Sequence, residues 1–358
     1  VDKSLHVVLI YVLSHLGLIF FMYPENIIAS TSEGHWLAIL LGVIIHFVVI
    51  SVYMKGLSFF PNRNIIGIYS SVGKGTALFF LIPVLLYFLM VIIITVRAYS
   101  EIITIVFLSN TPLWAIMALL LFISTYIASC GLETIFRTGI LLAILFLPLI
   151  LFIFFVSFQN VDWRYAIPID GNFQFIKKRD YLESFFAFSG GYLFLGFVQP
   201  FFSYNRKNVL IAAAVLIPFF FFSVYIPILT FGQATASTFF LPFVVAVDAI
   251  NINWLMFDRV TMFFIISLIA FVMLFLSLVS WKTIRIIEQF IPSIKPVYML
   301  ISLSVIIFLF CLSVPDWKDV EKLFWWNTIL RFYVLIAIPI SIYLIGIHSK
   351  RKNQHENI

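Results

Sequence analysis

Charge is what this sequence has least of. Only 11% of its 358 residues are Asp, Glu, Lys or Arg, against about 25% in a soluble globular domain. Apolar residues fill the deficit: they make up 63% of the chain, and the mean hydropathy is +1.11. A soluble protein of this size has no interior large enough to hide that surface, so the solvent is lipid and an ordinary soluble enzyme is excluded. Cysteine is nearly absent. Cys130 and Cys311 sit in or at the end of apolar runs, too few for a disulfide framework or a metal cluster. The six histidines do not group, and no H-E-x-x-H, G-x-S-x-G or C-x-x-C occurs. No metal, no cofactor and no catalytic constellation is therefore expected. Gly67–Gly75 resembles a phosphate loop only superficially: five residues separate Gly67 from Gly73 where a P-loop has four, and Gly75 follows Lys74 where Ser or Thr is needed. The net charge of +6 is scattered through short loops, which argues against nucleic acid.

What is abundant is long apolar runs, with 43 Phe to pack between helices and against lipid. Split at charges and Pro/Gly clusters, they predict ten membrane helices: Leu5–Ile28, Trp36–Met54, Thr76–Glu101, Leu113–Ser129, Thr138–Phe158, Leu182–Phe202, Val209–Phe231, Val260–Trp281, Val297–Leu312 and Ile329–Ile347. A barrel would need alternating segments of about ten residues, and these runs are continuous. The first is longer than the core of a signal peptide and lacks an A-x-A site, so it reads as a retained helix. With the N-terminus cytoplasmic, thirteen Lys and Arg fall on the inner side and nine on the outer, where twelve of the sixteen acidic residues also lie. Both termini are then cytoplasmic, which an even number of spans requires. Between spans, Lys55–Gly75 carries an amphipathic Asn64–Val72 segment suited to the interface. Gln159–Asp180 and Gly232–Phe257 are expected outside, the latter with Trp254 near the interface.

Five spans per half means that the second half is inverted relative to the first. The expected organisation is a single transmembrane domain: residues 1–158 as the first five-helix repeat, 159–180 as an extracytoplasmic loop, 181–347 as the second repeat and 348–358 as a basic cytoplasmic tail. Inverted repeats place a ligand at mid-membrane, where broken helices expose backbone groups. The signature is a Gly/Pro interruption at matching positions. Gly17 and Pro24 supply it in the first helix of one half, and Gly190, Gly191, Gly196 and Pro200 in the first helix of the other. Among side chains in or near the membrane, Arg97 and Glu101 are spaced i, i+4 near the outer end of span 3, as an ion pair or gate contact. Glu133 and Arg137 repeat that spacing, expected at the cytoplasmic end of span 4. His15 stands two residues before Gly17, and Tyr87 and Ser277 lie at mid-span depth; with the breaks they could line a small polar pocket, although each is also an ordinary packed residue.

Several pieces in order along the chain resemble the B subunit of bacterial spore germinant receptors, a branch of the amino acid–polyamine–organocation transporter superfamily. They are Phe60-Pro61 with Ile68-Tyr69 and Gly73-Lys74; Arg97, Ser100-Glu101-Ile102-Ile103 and Asn110-Thr111-Pro112; Gly131, Glu133 and Arg137; and Asn160-Val161-Asp162 with Pro168 and Gly171. Two positions depart from that pattern. Phe188-Ser189-Gly190 continues into Gly191-Tyr192 with no carboxylate, and Asp258-Arg259-Val260-Thr261 stands where the resemblance leads one to expect E-R-(I/V)-D. Both remove acidic groups from the core. The resemblance implies a LeuT-like, all-α fold with helices 1 and 6 broken. It also implies a nutrient sensor in the inner membrane of the endospore, acting with an A and a C subunit on a small ligand such as an amino acid. The expected ligand shell is His15, Gly17, Phe21, Tyr87, Ser189, Gly190, Gly191, Tyr192 and Ser277. In it the carboxylate lies on backbone N–H groups near Gly17 and Gly190, the ammonium on carbonyls and the hydroxyls of Ser189, Tyr87 or Ser277, and the ligand's side chain against Phe21 and Tyr192. Two other readings fit the same residues: an amino acid transporter, and a subunit that conducts water or ions.

Overall fold

Backbone groups in hydrocarbon must be bonded within their own segment, so long apolar runs fold as helices. The computed structural model describes residues 3–167, 170–250 and 260–355, and no strand occurs among them. Trp254, Pro168, Asp258 and Arg259 lie outside the described residues. Among the described residues, seven helices are each long and apolar enough to cross a membrane: His35–Leu57 (span 2), Lys74–Val106 (span 3), Leu132–Asn160 (span 5), Arg179–Val198 (span 6), Arg206–Phe231 (span 7), Val260–Phe290 (span 8) and Trp317–Arg351 (span 10). Span 1 is a pair, Ser4–Ile19 and Tyr23–Ser30, bent by 54°. Spans 4 and 9 are the shorter apolar helices Leu113–Ser129 and Pro296–Leu312. At 17 residues each they reach about 25 Å, near the lower limit for crossing.

Several ends differ from the sequence expectation, because charged residues stop a hydropathy run without stopping a helix. Span 3 continues past Glu101 to Val106, and span 8 past Trp281 to Phe290. Span 5 begins at Leu132, so Glu133 and Arg137 stand in its opening turns and do not close span 4. Span 10 begins at Trp317, twelve residues before the predicted Ile329, and contains a π-helical turn at Tyr333–Ala337. The Asn64–Val72 segment forms a helix at Ile65–Val72, capped by the Asn64 side chain accepting from the Gly67 N–H at 2.8 Å. Gly73, at φ +153°, then turns the chain into span 3. In the connection between spans 5 and 6, the Arg164 guanidinium pairs with the Asp162 carboxylate at 2.5 Å and holds it down to about 2. The connection between spans 7 and 8 is not simply external. Its helix Pro242–Asp248 turns back into the bundle and sets Phe243 against Phe20, Phe154 and Phe264.

The packing repeats itself between the halves. Span 3 lies on span 4 as span 8 lies on span 9; span 8 lies on spans 4 and 5 as span 3 lies on spans 9 and 10; span 1 meets span 5 as span 6 meets span 10. Exchanging spans 1–5 for 6–10 maps each of these contacts onto its counterpart. Spans 1 and 6 are the two partners of this exchange whose helices are interrupted.

Candidate functional site

In span 1 the helix stops at Ile19, and Phe20, Phe21 and Met22 form a turn before Tyr23. Pro24 sits in the first turn of the second segment, where its missing N–H removes the bond that would have carried the helix through Phe20. In span 6 the helix stops at Ser189 and resumes at Phe194, after a turn of Gly190, Gly191, Tyr192 and Leu193. Both interruptions are buried in the middle of the bundle.

Gly17 is not itself the break. It lies inside the first helical segment, where a Cβ would stand 3.3 Å from Phe271 Cβ and Val272 Cγ2 of span 8, so its role is close approach of two helices. Its carbonyl accepts a hydrogen bond from Tyr99 of span 3. Tyr99 also stacks on Phe21, ring centres 4.9 Å apart, and Phe21 reaches Phe186 of span 6. The N-terminal ends of helix at the two breaks are Tyr23 and Phe194, and Glu25 already occupies the positive end of the Tyr23–Ser30 segment. Backbone N–H groups near Gly17 are thus engaged within a helix, and the expected carboxylate cradle does not form there.

His15 is fully buried and its Nδ1 lies 2.7 Å from the Tyr11 carbonyl. A carbonyl only accepts, so Nδ1 carries the proton and Nε2 is left as an acceptor, and it has no partner. The ring lies against the bare backbone of Gly191, where a Cβ would come within 2.6 Å of Nδ1 and 2.7 Å of Nε2. Gly190 is equally tight, 2.8 Å from the Phe275 ring and 3.0 Å from Leu18 Cδ1. Tyr87 donates to Ser189 Oγ at 2.8 Å, joining span 3 to the end of the first span 6 segment. Tyr192 donates to the Val334 carbonyl at 2.8 Å, one of the groups that the π-helical turn of span 10 releases from regular bonding. Ser277 stands apart: its hydroxyl bonds the Met273 carbonyl of its own helix at 2.7 Å, and it is Phe275 that reaches the break.

Some neighbours have no counterpart in the sequence reading. His46 of span 2 bonds the Tyr11 hydroxyl at 2.7 Å, and its ring lies 5.2 Å from that of His15. A histidine buried among 43 Phe carries no local mark of its neighbours. Arg331 is fully buried in span 10, donates to the Leu182 and Glu183 carbonyls of span 6, and lies over the Phe186 and Phe324 rings. An arginine within an apolar run is a visible signal, but counting it as an outer-loop charge hid it. In spans 1, 2 and 3, Ser14 Oγ, His15 Nε2, His46 Nδ1, Tyr23 Oη, Thr95 Oγ1 and Ser100 Oγ are all buried with no hydrogen-bond partner. The cavity beside the span 1 break, lined by Phe20, Phe21, Tyr99 and Leu241 among others, measures about 10 Å³. That is room for about one water.

The ion pairs lie away from this centre. Arg97 is buried, pairs with Glu101 at 2.5 Å and donates to the Val314 and Pro315 carbonyls, so it ties span 3 to the turn between spans 9 and 10. Glu133 and Arg137 are exposed and 3.4 Å apart. Among the described residues no group of three or more His, Cys, Asp or Glu could hold a metal.

A profile of the family described as "Spore germination protein" matches residues 2–320. The Bacillus subtilis (strain 168) protein YfkT, whose name assigns it to spore germination, is 25% identical over 239 residues, 64% of each chain. The match thus spans less than two thirds of that relative. Among solved structures, MhsT in complex with L-phenylalanine superimposes with a TM-score of 0.59 at 12% identity, covering 95% of this chain and 98% of that one. That likeness defines the fold, a LeuT-type bundle.

Proposed function

The chain belongs to the spore germination protein family, and on that footing we propose that it is the membrane-embedded nutrient sensor of a germination receptor, recognising a free amino acid at the paired breaks of spans 1 and 6. The observation that carries this is the set of unpartnered polar atoms there. Buried hydrogen-bonding groups are nearly always satisfied, yet three without a partner are gathered at the breaks: Tyr23 opens the second segment of span 1, His15 lies against Gly191, and His46 lies beside His15 and Tyr192. A zwitterion brings both donors and acceptors. Its ammonium fits His15 Nε2 and the carbonyls ending the first segments of spans 1 and 6, and its carboxylate fits the hydroxyls of Ser14, Tyr23, Thr95 and Ser100. Phe21 and Tyr192 flank the same place and would face the ligand's side chain. The fold neighbour's phenylalanine ligand supports the amino acid class.

The cavity beside the span 1 break measures about 10 Å³ and none of these polar groups lines it, so a ligand enters only as Phe21 and its neighbours move. Binding therefore selects a second arrangement of the bundle, and a ligand shifts that equilibrium by its differential affinity for the two arrangements. In this reading the protein lies in the inner membrane of the endospore with both termini cytoplasmic. The new arrangement is passed to an A and a C subunit, and the two five-helix repeats, 1–158 and 181–347, are the bodies that rock. A second reading, an amino acid transporter, draws on the internal two-fold exchange of helix contacts, the architecture of alternating access.

The test is a thermal-shift screen of the purified chain in detergent against the twenty amino acids. Ligands that bind only the native state raise the midpoint by mass action. One or a few amino acids are expected to raise it, and His15→Leu, which removes the acceptor, is expected to abolish the rise. No shift with any amino acid, or an unchanged shift in the variant, overturns the assignment. Labelled uptake of the same amino acid into proteoliposomes under an ion gradient would decide for the transporter.

A further inference from the structure

Span 8 carries a lysine that nothing above uses. Lys282 is fully buried, and its Nζ has no hydrogen-bond partner. It lies over the face of Phe88 in span 3, 4.4 Å from Nζ to the ring centre. Phe88 packs in turn on Phe197, in the second segment of span 6, and is the residue after Tyr87, which bonds Ser189 at the break. The amine is thus two side chains away from the segment of span 6 that follows the interruption.

No neighbouring titratable group neutralises it. On span 1, Tyr11 and His15 are engaged with His46 and the Tyr11 carbonyl, and His6 lies beside Phe202. On span 3, Tyr87 is bonded to Ser189, Tyr99 to the Gly17 carbonyl and Arg97 to Glu101, and Lys74 is exposed. Tyr126, Glu133, Arg137 and Tyr298 of spans 4, 5 and 9 are exposed. Cys311 points at the Ile93 carbonyl, and Asp248 of the Pro242–Asp248 helix accepts from Thr261. On span 8 itself Arg285 pairs with Glu288, and the Phe194–Val198 segment of span 6 has no ionisable side chain.

An ammonium sealed among apolar side chains loses its hydration, and a ring face returns only a fraction of it. We infer that Lys282 is a proton-binding site whose occupancy follows the packing of spans 3, 6 and 8: its amine is neutral in this closed arrangement and takes up a proton when the Phe88–Phe197 contact parts and water reaches Nζ. Protons are then a ligand of the open arrangement. By linkage, acid favours opening and alkali favours closure.

The test uses the full chain in nanodiscs, labelled with lysine carrying ¹³C at Cε. The signal that disappears in Lys282→Met, or in Lys282→Arg if that variant folds better, belongs to Lys282. It is expected at the neutral-amine position at pH 7.5, while the exposed lysines read as ammonium. A Lys282 signal that stays at the ammonium position with the others up to pH 9 overturns the proposal. Opening is read by thiol labelling of Val198→Cys, buried next to Phe197 in the same segment, in a Cys130→Ser background, corrected for the thiolate fraction. Labelling should rise as pH falls, by up to about tenfold per unit, the limit for one proton. Adding Lys282→Met should flatten that dependence, and a slope unchanged by the substitution overturns the coupling. Neither readout needs a nutrient, so a failed amino acid screen leaves this site standing, and the reverse holds equally.

Discussion

Gly191 and His15 share one space. A Cβ at Gly191 would come within 2.7 Å of both imidazole nitrogens, so Gly191→Ala overpacks a site that cannot expand. We expect a loss of about 1–3 kcal/mol, read as a fall in the melting midpoint in detergent. Combining it with His15→Ala should recover part of that loss, and additive losses would show that the two residues do not compete. The Tyr87–Ser189 bond is a neutral pair, and Tyr87→Phe should cost about 1 kcal/mol. In a double-mutant cycle with Ser189→Ala the second change should then cost little, and two independent losses would argue that the hydroxyls do not bond each other. His15 and Gly191 were each legible from sequence as candidates, His15 as a polar group in an apolar run and Gly191 as one of a glycine pair. That they touch was not, because 176 positions of chain separate them and only the packing of span 1 on span 6 brings them together. His46 was invisible for the same reason.

Helices behave differently according to whether their charges are sealed. Arg97 is buried and makes three bonds, two of them to carbonyls beyond span 9. Arg97→Met strands those acceptors and the Glu101 carboxylate, and should cost roughly 3–5 kcal/mol, the range for breaking a buried pair. Glu133→Ala breaks an exposed pair and should change stability by less than about 0.5 kcal/mol. Comparable midpoints for the two variants would contradict the burial difference. Both pairs have the same i, i+4 spacing, so the sequence could not rank them; whether the turn between spans 9 and 10 lies over the arginine decides it. The ends of spans 3, 8 and 10 show the same limit. The apolar runs end at Glu101 and Trp281 and begin at Ile329, while the helices run on, because a charged side chain ends an apolar run without removing a backbone hydrogen bond.

Taken as one body, the bundle places its two cysteines in opposite situations. Cys130 is exposed in the turn between spans 4 and 5, and Cys311 is buried at the end of span 9. With the N-terminus cytoplasmic, a membrane-impermeant thiol reagent added outside intact cells should leave both unmodified. Permeabilisation should expose Cys130 alone, and Cys311 should react only on unfolding. Labelling of Cys130 in sealed cells would reverse the orientation. Tyr192 ties the break of span 6 to the π-helical turn of span 10. In the proposed sensor, a change at the span 6 break would reach span 10 through that hydrogen bond.

Composition and run length determined that the solvent is lipid and that the elements are helices, and the count of spans with the matching Gly and Pro positions pointed to two related halves with interrupted first helices. Those properties follow from the energy of apolar surface and of unpaired backbone groups, which each segment carries locally. Where the break falls, which polar atoms it strands and which lysine is left without a partner were decided by tertiary packing. Phe20–Met22 turns at Pro24 and packs under the returning Phe243, and Lys282 is isolated because the packing of its helix seals the amine against the Phe88 ring. Such features depend on which distant side chains meet, and no local pattern of the chain encodes that.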